Sequence, residues 1–361
     1  MIKDLDKISY RMADDFESVN QMFIKEMGEH VRDIGKLTPN DLNILEQYRR
    51  MGVSMDKVQK EMQKVLGKTE KEIYKLLRRN GLMDYESMAI FYKAKNKQQI
   101  PLLKNKRMQK MVREVGRLTN ASFRNIANST AMSREYQKAI DRGIYSVMNG
   151  LEDYNSAVKR VVKNSALNGN KVQYSSGYSR RLDSAARMNI LDGTRELTRG
   201  IRLLGGQEFG ADGVEIDAHG MCAPDHQEVQ GTQMTMKEFE EFQNDDSHRP
   251  IGKLNCGHSA DPIVIGVSQP VYSDDELQEM KDYSNEIIDI NGKQLSRYDW
   301  EQSMRNLETK VREQKDLIVL GKASEIDDIK REANQKIKAY KKAYKDISDQ
   351  TGITQRPYRF G

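Results

Sequence analysis

Apolar residues in the first two hundred positions recur at the spacing of amphipathic helices. In MDKVQKEMQKVLGKTEKEIYKLLRR they form one stripe with Lys and Glu opposite, at Met55, Val58, Met62, Val65, Leu66, Ile73, Leu76 and Leu77. The pair Asn80–Gly81 and the polar run before Pro101 predict helix ends. The last helix of this region, SRRLDSAARMNILDGTRELTRGIRLL, is expected to stop at Gly205 and Gly206.

The pattern changes after Gly206. The stretch GQEFGADGVEIDAH is short and alternates Val214 and Ile216 with acidic residues, so it predicts a strand that ends before His219. A second strand is predicted for ADPIVIGVS, just after His258. Between them, TMKEFEEFQN predicts a short helix with Thr235 as its N-cap.

Helical spacing returns from residue 273 to the end. One apolar seam contains Trp300, Met304, Leu307 and Val311, and a second, beyond Gly321, contains Ile326, Ile329, Ala333, Ile337, Tyr340, Ala343 and Ile347. The seams predict either an antiparallel helical hairpin or a partner-binding coiled coil. The tail GITQRPYRFG is basic and broken by proline, so we expect it to extend from the last helix.

These patterns predict a mainly α protein with a small α+β module. The predicted regions are a helical part at 1–205, a His/Cys-rich α+β module at 206–272, and a helical part at 273–361. Composition agrees with long solvated helices, because 31% of residues are charged and mean hydropathy is -0.79. No apolar run is long enough for a membrane span, and the N-terminus lacks the apolar core of a secretory signal. We therefore expect a soluble protein made in a cytoplasm, without stable membrane anchoring.

Charge is distributed unevenly along the chain. Residues 101–200 carry 19 Lys or Arg against 8 Asp or Glu, whereas residues 201–300 carry 7 against 20. The basic part either solvates its helices or meets nucleic acid. No helix-turn-helix or RNA-binding signature accompanies the charge.

Ligand-capable residues gather in a tenth of the chain. Four of the five His residues and both Cys residues lie between His219 and His258. Zinc prefers four Cys or His ligands, commonly supplied as two close pairs. Here the pairs are Cys222 with His226 and Cys256 with His258, a spacing of no standard zinc finger. The cluster is therefore either a metal site or a buried hydrogen-bonded group, and His248 in the polar stretch NDDSHRP is its weakest candidate.

A structural zinc ion would help to stabilise the module, because the module has few apolar residues. They are Val214, Ile216, Phe239, Phe242, Leu254, Ile263 and Ile265. A structural zinc ion contributes on the order of 10 kcal/mol to folding. It would tie the loop after Ile216 to the loop before Ile263.

Signatures of zinc enzymes are absent, since the chain has neither HExxH nor the zinc deaminase pattern. The enzymatic alternative is a metal-dependent nuclease or other hydrolase. In it His219 or His226 would act as general base, and Asp217 or Asp225 would hold a metal. We favour a protein without enzymatic activity.

The runs EIDAHGMCAPDHQEVQG and PIGKLNCGHSADPIVIGVSQPVYSDDEL resemble the phage minor capsid protein 2 family, related to Mu F-like head morphogenesis proteins. The matching positions are His219, His226, Gln230, Gly231, Gly252, Asn255, Cys256, His258 and Tyr272. The resemblance spans roughly residues 180–361. The resemblance is incomplete at one point. Where family members often carry Ala-Arg-Pro, this chain has Cys222, Ala223 and Pro224, so it gains a thiol.

The resemblance implies a metal tetrad of His219, His226, Cys256 and His258, with Cys222 as a reserve ligand and zinc as the ion. It also implies a structural protein made in the host bacterial cytoplasm and carried inside the capsid. Such a protein would act near the portal in head assembly or in DNA packaging and delivery. The implied partners are the portal protein and capsid or scaffold proteins. The basic part at 101–200 suits contact with packaged DNA without sequence specificity.

Overall fold

The structure, a computed structural model, describes residues 5–34, 52–94, 98–128, 159–160, 163–164, 166–168, 171–174, 177–208 and 210–361. Within these residues the helices are α1 (Leu5–Ile34), α2 (Gly52–Ser87), α3 (Ala89–Ala94), α4 (Lys106–Asn128), α5 (Leu182–Glu208), α6 (Met236–Gln243), α7 (Asp274–Asn285), α8 (Arg297–Ala323) and α9 (Asp327–Thr351). The strands are β1 (Lys171–Gln173), β2 (Ser179–Arg181), β3 (Gly213–Ile216), β4 (Gln233–Thr235), β5 (Ala260–Ile263), β6 (Ile287–Ile290) and β7 (Lys293–Ser296). Short 3-10 helices cover Pro224–His226 and Pro357–Phe360. The predicted class, mainly α with a small α+β module, is confirmed.

The chain divides into two compact units, each built from three segments. Unit 1 contains Met1–Ser9, Glu70–Ser122 and Met188–Ser303, and unit 2 contains Tyr10–Thr69, Phe123–Arg187 and Met304–Gly361. This grouping reflects contacts between residues far apart in sequence. The division along the sequence at 205 and 272 stays a prediction. No helix among the described residues combines the length and the apolar character that a membrane crossing requires.

Two predicted helix ends in unit 1 are wrong. Helix α5 continues through Gly205 and Gly206 to Glu208, and α2 continues through Gly81 to Ser87. A Cβ at Gly205 would overlap the side chain of Met88, and one at Gly206 would overlap Pro262. These glycines therefore permit close packing of neighbouring segments and do not end the helix.

The sheet of the module in unit 1 has three antiparallel strands in the order β4-β3-β5. Every residue of β3 is buried, because the strand lies in the centre of the sheet. Helix α6 begins with the predicted cap: the Thr235 hydroxyl accepts a hydrogen bond from the Glu238 amide, and the Glu238 carboxylate accepts one from the Thr235 amide. The core of the module consists of Val214, Ile216, Phe239, Ile251, Cys256 and Ala260. The two predicted strands and the short helix are confirmed.

In unit 2, α8 and α9 pack against each other in antiparallel directions. The Tyr344 hydroxyl donates to Glu308 at 3.1 Å, while near the connection Gly321 lies against Lys330. Ile329, Ala333 and Ile347 of the second predicted seam are buried. The hairpin, one of the two predicted alternatives, is therefore the arrangement within the chain.

The C-terminal tail does not extend from α9 as predicted. It turns at Gly352 and packs on α8 and α9, so that Phe360 is buried with its ring 4.9 Å from that of Tyr344. The Arg312 guanidinium donates to the Arg359 carbonyl at 2.8 Å. Burial of the Phe360 ring and this hydrogen bond to the tail backbone oppose the tendency of a basic segment to remain in solvent.

Unit 2 also contains a buried ion network centred on Arg181. Its guanidinium contacts Asp183 at 3.0 Å, Asp316 at 2.6 Å and Glu17 at 2.8 Å. Arg312 adds a second guanidinium, 3.1 Å from Asp183. Two guanidinium groups thus face three carboxyl groups in a region shielded from water. Burial, and then the charge of Asp316, raise the pKa of Glu17 to about 9.

We expect the Glu17→Gln substitution to reduce the pH dependence of stability. Folded Glu17 keeps a proton that the unfolded chain releases above its ordinary pKa of 4.5, so stability should decrease as pH rises from 4.5 to about 9. The free energy of unfolding of the variant minus that of the parent should be larger at pH 9 than at pH 5 by more than about 1 kcal/mol. Urea unfolding at the two pH values measures this. Glu29→Gln, on the same helix outside the network, is the control, and an equal gain there would contradict the prediction.

Candidate metal centre

Pairing of β3 with β5 brings the two ends of the His/Cys-rich segment together. Ile216 pairs with Ala260, so the loop after β3 lies beside the residues that precede β5. Asp217 strengthens this junction, because its carboxylate accepts hydrogen bonds from the Ser259 amide at 2.6 Å and from the Ser259 hydroxyl at 2.9 Å. His258 is thereby held beside the loop that carries His219, as the positions of the strands predict.

His226 is held by a short 3-10 helix, Pro224–His226, and its side chain is buried. The neighbouring Asp225 forms a two-point ion pair with Arg249, at 2.8 and 2.6 Å. These hydrogen bonds lower the pKa of Asp225 to about 2. The ion pair fixes the backbone at Arg249, whose carbonyl accepts a hydrogen bond from His226 Nε2 at 2.6 Å.

Cys256 follows a tight loop with an unusual backbone. Gly252, Leu254 and Asn255 all have φ between 53° and 78°, and the Cys256 amide donates to the Lys253 carbonyl at 2.9 Å. Left-handed φ is costly for leucine, and such strain concentrates at functional sites. The loop directs the Cys256 side chain into the core of the module, where it is buried.

Three candidate ligands converge on one point. Cys256 Sγ lies 3.3 Å from His226 Nδ1 and 3.4 Å from His258 Nδ1. Among the described residues these three form the group whose ligand atoms could hold a metal. Zinc bonds of about 2.3 Å to sulfur and 2.05 Å to nitrogen, at tetrahedral angles, place S and N about 3.5 Å apart. The observed separations agree with shared coordination of one ion.

Outer hydrogen bonds determine which imidazole nitrogens carry protons. His226 Nε2 faces the Arg249 carbonyl, and His258 Nε2 faces Gln230 Oε1 at 3.2 Å. Both partners are acceptors, so each Nε2 must donate and each neutral ring presents a bare Nδ1 toward Cys256. Metal-binding histidines in proteins are oriented in this way.

Hydrogen bonds alone do not satisfy this group. Burial lowers the pKa of His226, and burial with the neighbouring His219 and His226 lowers the pKa of His258 to about 3, so both rings are neutral at pH 7. Burial raises the pKa of Cys256, which leaves one S–H proton for two acceptor nitrogens. One buried lone pair therefore lacks a donor. A cation held by a thiolate and two imidazoles would satisfy all three atoms.

The other sequence candidates lie outside the three-atom group. His219 stacks on His258 with ring centroids 4.2 Å apart, and its buried Nε2 has no hydrogen-bond partner among the residues that the structure describes. Because His219 Nδ1 faces the Gly220 carbonyl at 2.9 Å, that Nε2 also offers a bare lone pair. Cys222 is buried and donates to the Ala223 carbonyl at 3.3 Å, whereas His248 stacks on Phe242.

Two supporting residues were not predicted as part of the site. Gln230 appeared in the sequence only as part of a motif, and Arg249 carried no signal because its contribution is a backbone carbonyl. The structure shows that the Gln230 side-chain oxygen also accepts from the His219 amide at 3.3 Å. Such outer contacts depend on the pairing of distant loops.

Comparison with known protein families gives a match over nearly the whole chain. A family model described as phage minor capsid protein 2 matches residues 3–348 of the 361. No curated protein and no solved structure matches the chain. The match includes the N-terminal helices, beyond the segment from about residue 180 in which the sequence shows the resemblance.

Proposed function

The chain belongs to the phage minor capsid protein 2 family, and on this premise we propose that it is an internal structural component of the virion, acting near the portal. There it would serve head assembly or DNA packaging and delivery, in contact with portal, capsid or scaffold proteins. The family match over residues 3–348 carries this proposal. A virion protein with a structural role needs no catalytic site.

The buried cluster would bind a structural zinc ion that stabilises the module. His226 Nδ1, His258 Nδ1 and Cys256 Sγ would be the first three ligands, and His219 Nε2, with its bare lone pair, the fourth. His219 would have to turn toward the other three. Cys222 stays the reserve ligand. Exposure of the three converging residues is at most 3%, which is typical of a closed structural site.

The alternative, a metal-dependent nuclease or other hydrolase carried in the virion, has weaker support. Its carboxylates are already engaged, because Asp217 accepts from Ser259 and Asp225 pairs with Arg249. A catalytic metal also needs an open coordination position that substrate can reach. The burial of His226, Cys256 and His258 supports a structural ion instead.

The location in the virion can be tested on purified particles. We expect mass spectrometry to detect the chain in intact virions at few copies relative to the major capsid protein. Because the chain would lie inside the head, added protease should leave it uncut until the particles are opened. An external virion protein cut in the same sample is the control for protease activity. Absence from virions, or cleavage in intact particles, would contradict the proposal.

A further inference from the structure

In unit 1, helices α2 and α4 lie side by side in antiparallel directions. A Cβ at Gly116 would lie within 3.0 Å of three ring carbons of Tyr74, and one at Gly81 would lie 3.6 Å from Val112. Residues later in α2 therefore contact residues earlier in α4, as antiparallel packing requires. The absent side chain at Gly116 lets the two helices approach closely, with the Tyr74 ring between them.

Each helix carries a row of exposed cations. On α2, Lys71, Lys75 and Arg78 are spaced by four and three residues. The row on α4 has spacings of four, three and four and consists of Lys106, Lys110, Arg113 and Arg117. At these spacings the members of a row share one face of their helix.

The two rows face the same groove. Angular positions around each helix axis follow from a turn of about 100° per residue. On α2, with the buried Leu77 at 0°, Tyr74 lies at about 60° and the three cations lie at about 100–160°. Starting from the buried Val112, α4 presents Gly116 at about 40° and its four cations at about 100–160°, in the same sense of rotation. Because the two helices are antiparallel, rotation in the same sense away from the Tyr74–Gly116 contact leads to the same side of the helix pair. Both rows of cations therefore lie on that side. The seven cations therefore line the outer groove above Tyr74.

Phosphate is the ligand that this groove suits. Glu114 forms an ion pair with Arg117, and among the described residues it is the one carboxylate paired with these cations. The longer row extends about 16 Å, which corresponds to roughly five phosphates of one DNA strand. The centres of protein–protein interfaces are depleted in lysine, whereas phosphate contacts are made chiefly by Lys and Arg.

We propose that the basic groove between α2 and α4, formed by Lys71, Lys75, Arg78, Lys106, Lys110, Arg113 and Arg117, binds the phosphate backbone of duplex DNA without sequence preference. The inference rests on the proposed function, since a protein inside the head meets packaged DNA. It assigns this contact to a surface that includes part of α2, outside the basic segment at 101–200. Residues 129–158 of that segment lie outside the described part of the chain.

The test uses the full chain and two duplexes of unrelated sequence. The groove variant carries Lys71→Gln, Lys75→Gln, Lys110→Gln and Arg113→Gln. Its matched control carries Lys338→Gln, Lys341→Gln, Lys342→Gln and Lys345→Gln, which remove the same charge from an exposed face of α9. Glutamine retains helix propensity, so both variants should keep the parent circular dichroism and melting temperature.

We expect the parent to bind both duplexes equally, with affinity falling steeply as salt rises. The groove variant should bind at least tenfold more weakly, and its slope of log affinity against log salt should be smaller by about 3 to 4. The α9 control should change the slope by less than about 1. Equal losses in both variants, or a parent that does not bind DNA at low salt, would overturn the inference.

Virions made with each variant separate this inference from the proposed function. If the parent chain is present in virions but does not bind DNA, the groove assignment fails and the virion role stands. If in addition the groove variant is missing from heads, the groove receives an acidic protein surface instead of DNA. If the parent chain is absent from virions, the proposed function fails whatever the DNA result.

Discussion

Replacing Cys256 with serine should remove the metal from the purified protein and lower the melting temperature of the module by about 10 °C or more. Protein prepared without chelator should contain close to one zinc per chain. Cys256 is the sulfur that both imidazole Nδ1 atoms face, and without it the proposed site would keep only neutral imidazole nitrogens, which would hold the ion weakly. Since a structural zinc ion contributes on the order of 10 kcal/mol, loss of several kcal/mol is expected.

Cys222→Ser is the matched control for this experiment. Both cysteines are buried in the same module, but Cys222 donates to the Ala223 carbonyl, a hydrogen bond that serine can keep. Burial, and then the nearby Cys256, raise the pKa of Cys222 to about 12, so it stays protonated without a metal. The control should retain its zinc. Metal loss in Cys222→Ser but not in Cys256→Ser would assign the thiolate ligand to Cys222.

Chelation supplies an independent check of the same site. Removing the ion should lower the melting temperature of the parent to about that of Cys256→Ser, and should have no effect on the variant. If metal-free and metal-loaded parent protein melt at the same temperature, the hydrogen-bonded cluster is the better account of His226, Cys256 and His258.

Arg181→Met should destabilise unit 2 by about 3–5 kcal/mol. The substitution leaves Asp183, Asp316 and Glu17 in a buried site that has lost its central cation. Removing one partner of a buried ion group is costly, because Asp183 and Asp316 have left water and only Arg312, beside Asp183, remains to offset their charge. The midpoint and slope of urea unfolding, followed by circular dichroism, measure the loss.

The adjacent Arg180 provides the control for Arg181. Side chains alternate along β2, so Arg180 points to the other face, where its guanidinium lies 5.0 Å from the centre of the Tyr178 ring. Arg180→Met should therefore cost less than about 1 kcal/mol. Equal losses at the two positions would show that the network around Arg181 contributes little beyond general charge effects.

Local patterns in the sequence determined the class of the fold and the elements near the candidate site. The alternation around Val214 and Ile216 gives β3, and Thr235 with Glu238 gives the cap of α6. Both signals act within a few residues, where backbone geometry fixes which side chains meet. The gathering of His and Cys residues likewise predicted where the candidate metal site lies.

The tertiary structure alone decided which of these candidates meet. It joins His226, Cys256 and His258 through the pairing of β3 with β5, and it leaves His219 and Cys222 beside the group. It also places Arg181 against Asp316, which lies 135 residues away, and folds the tail onto α8 and α9. Contacts of this range depend on how whole elements pack, and no local spacing encodes them. For the same reason Gly205 and Gly206 predict a helix end from sequence, yet in the structure they lie within α5 against Met88 and Pro262.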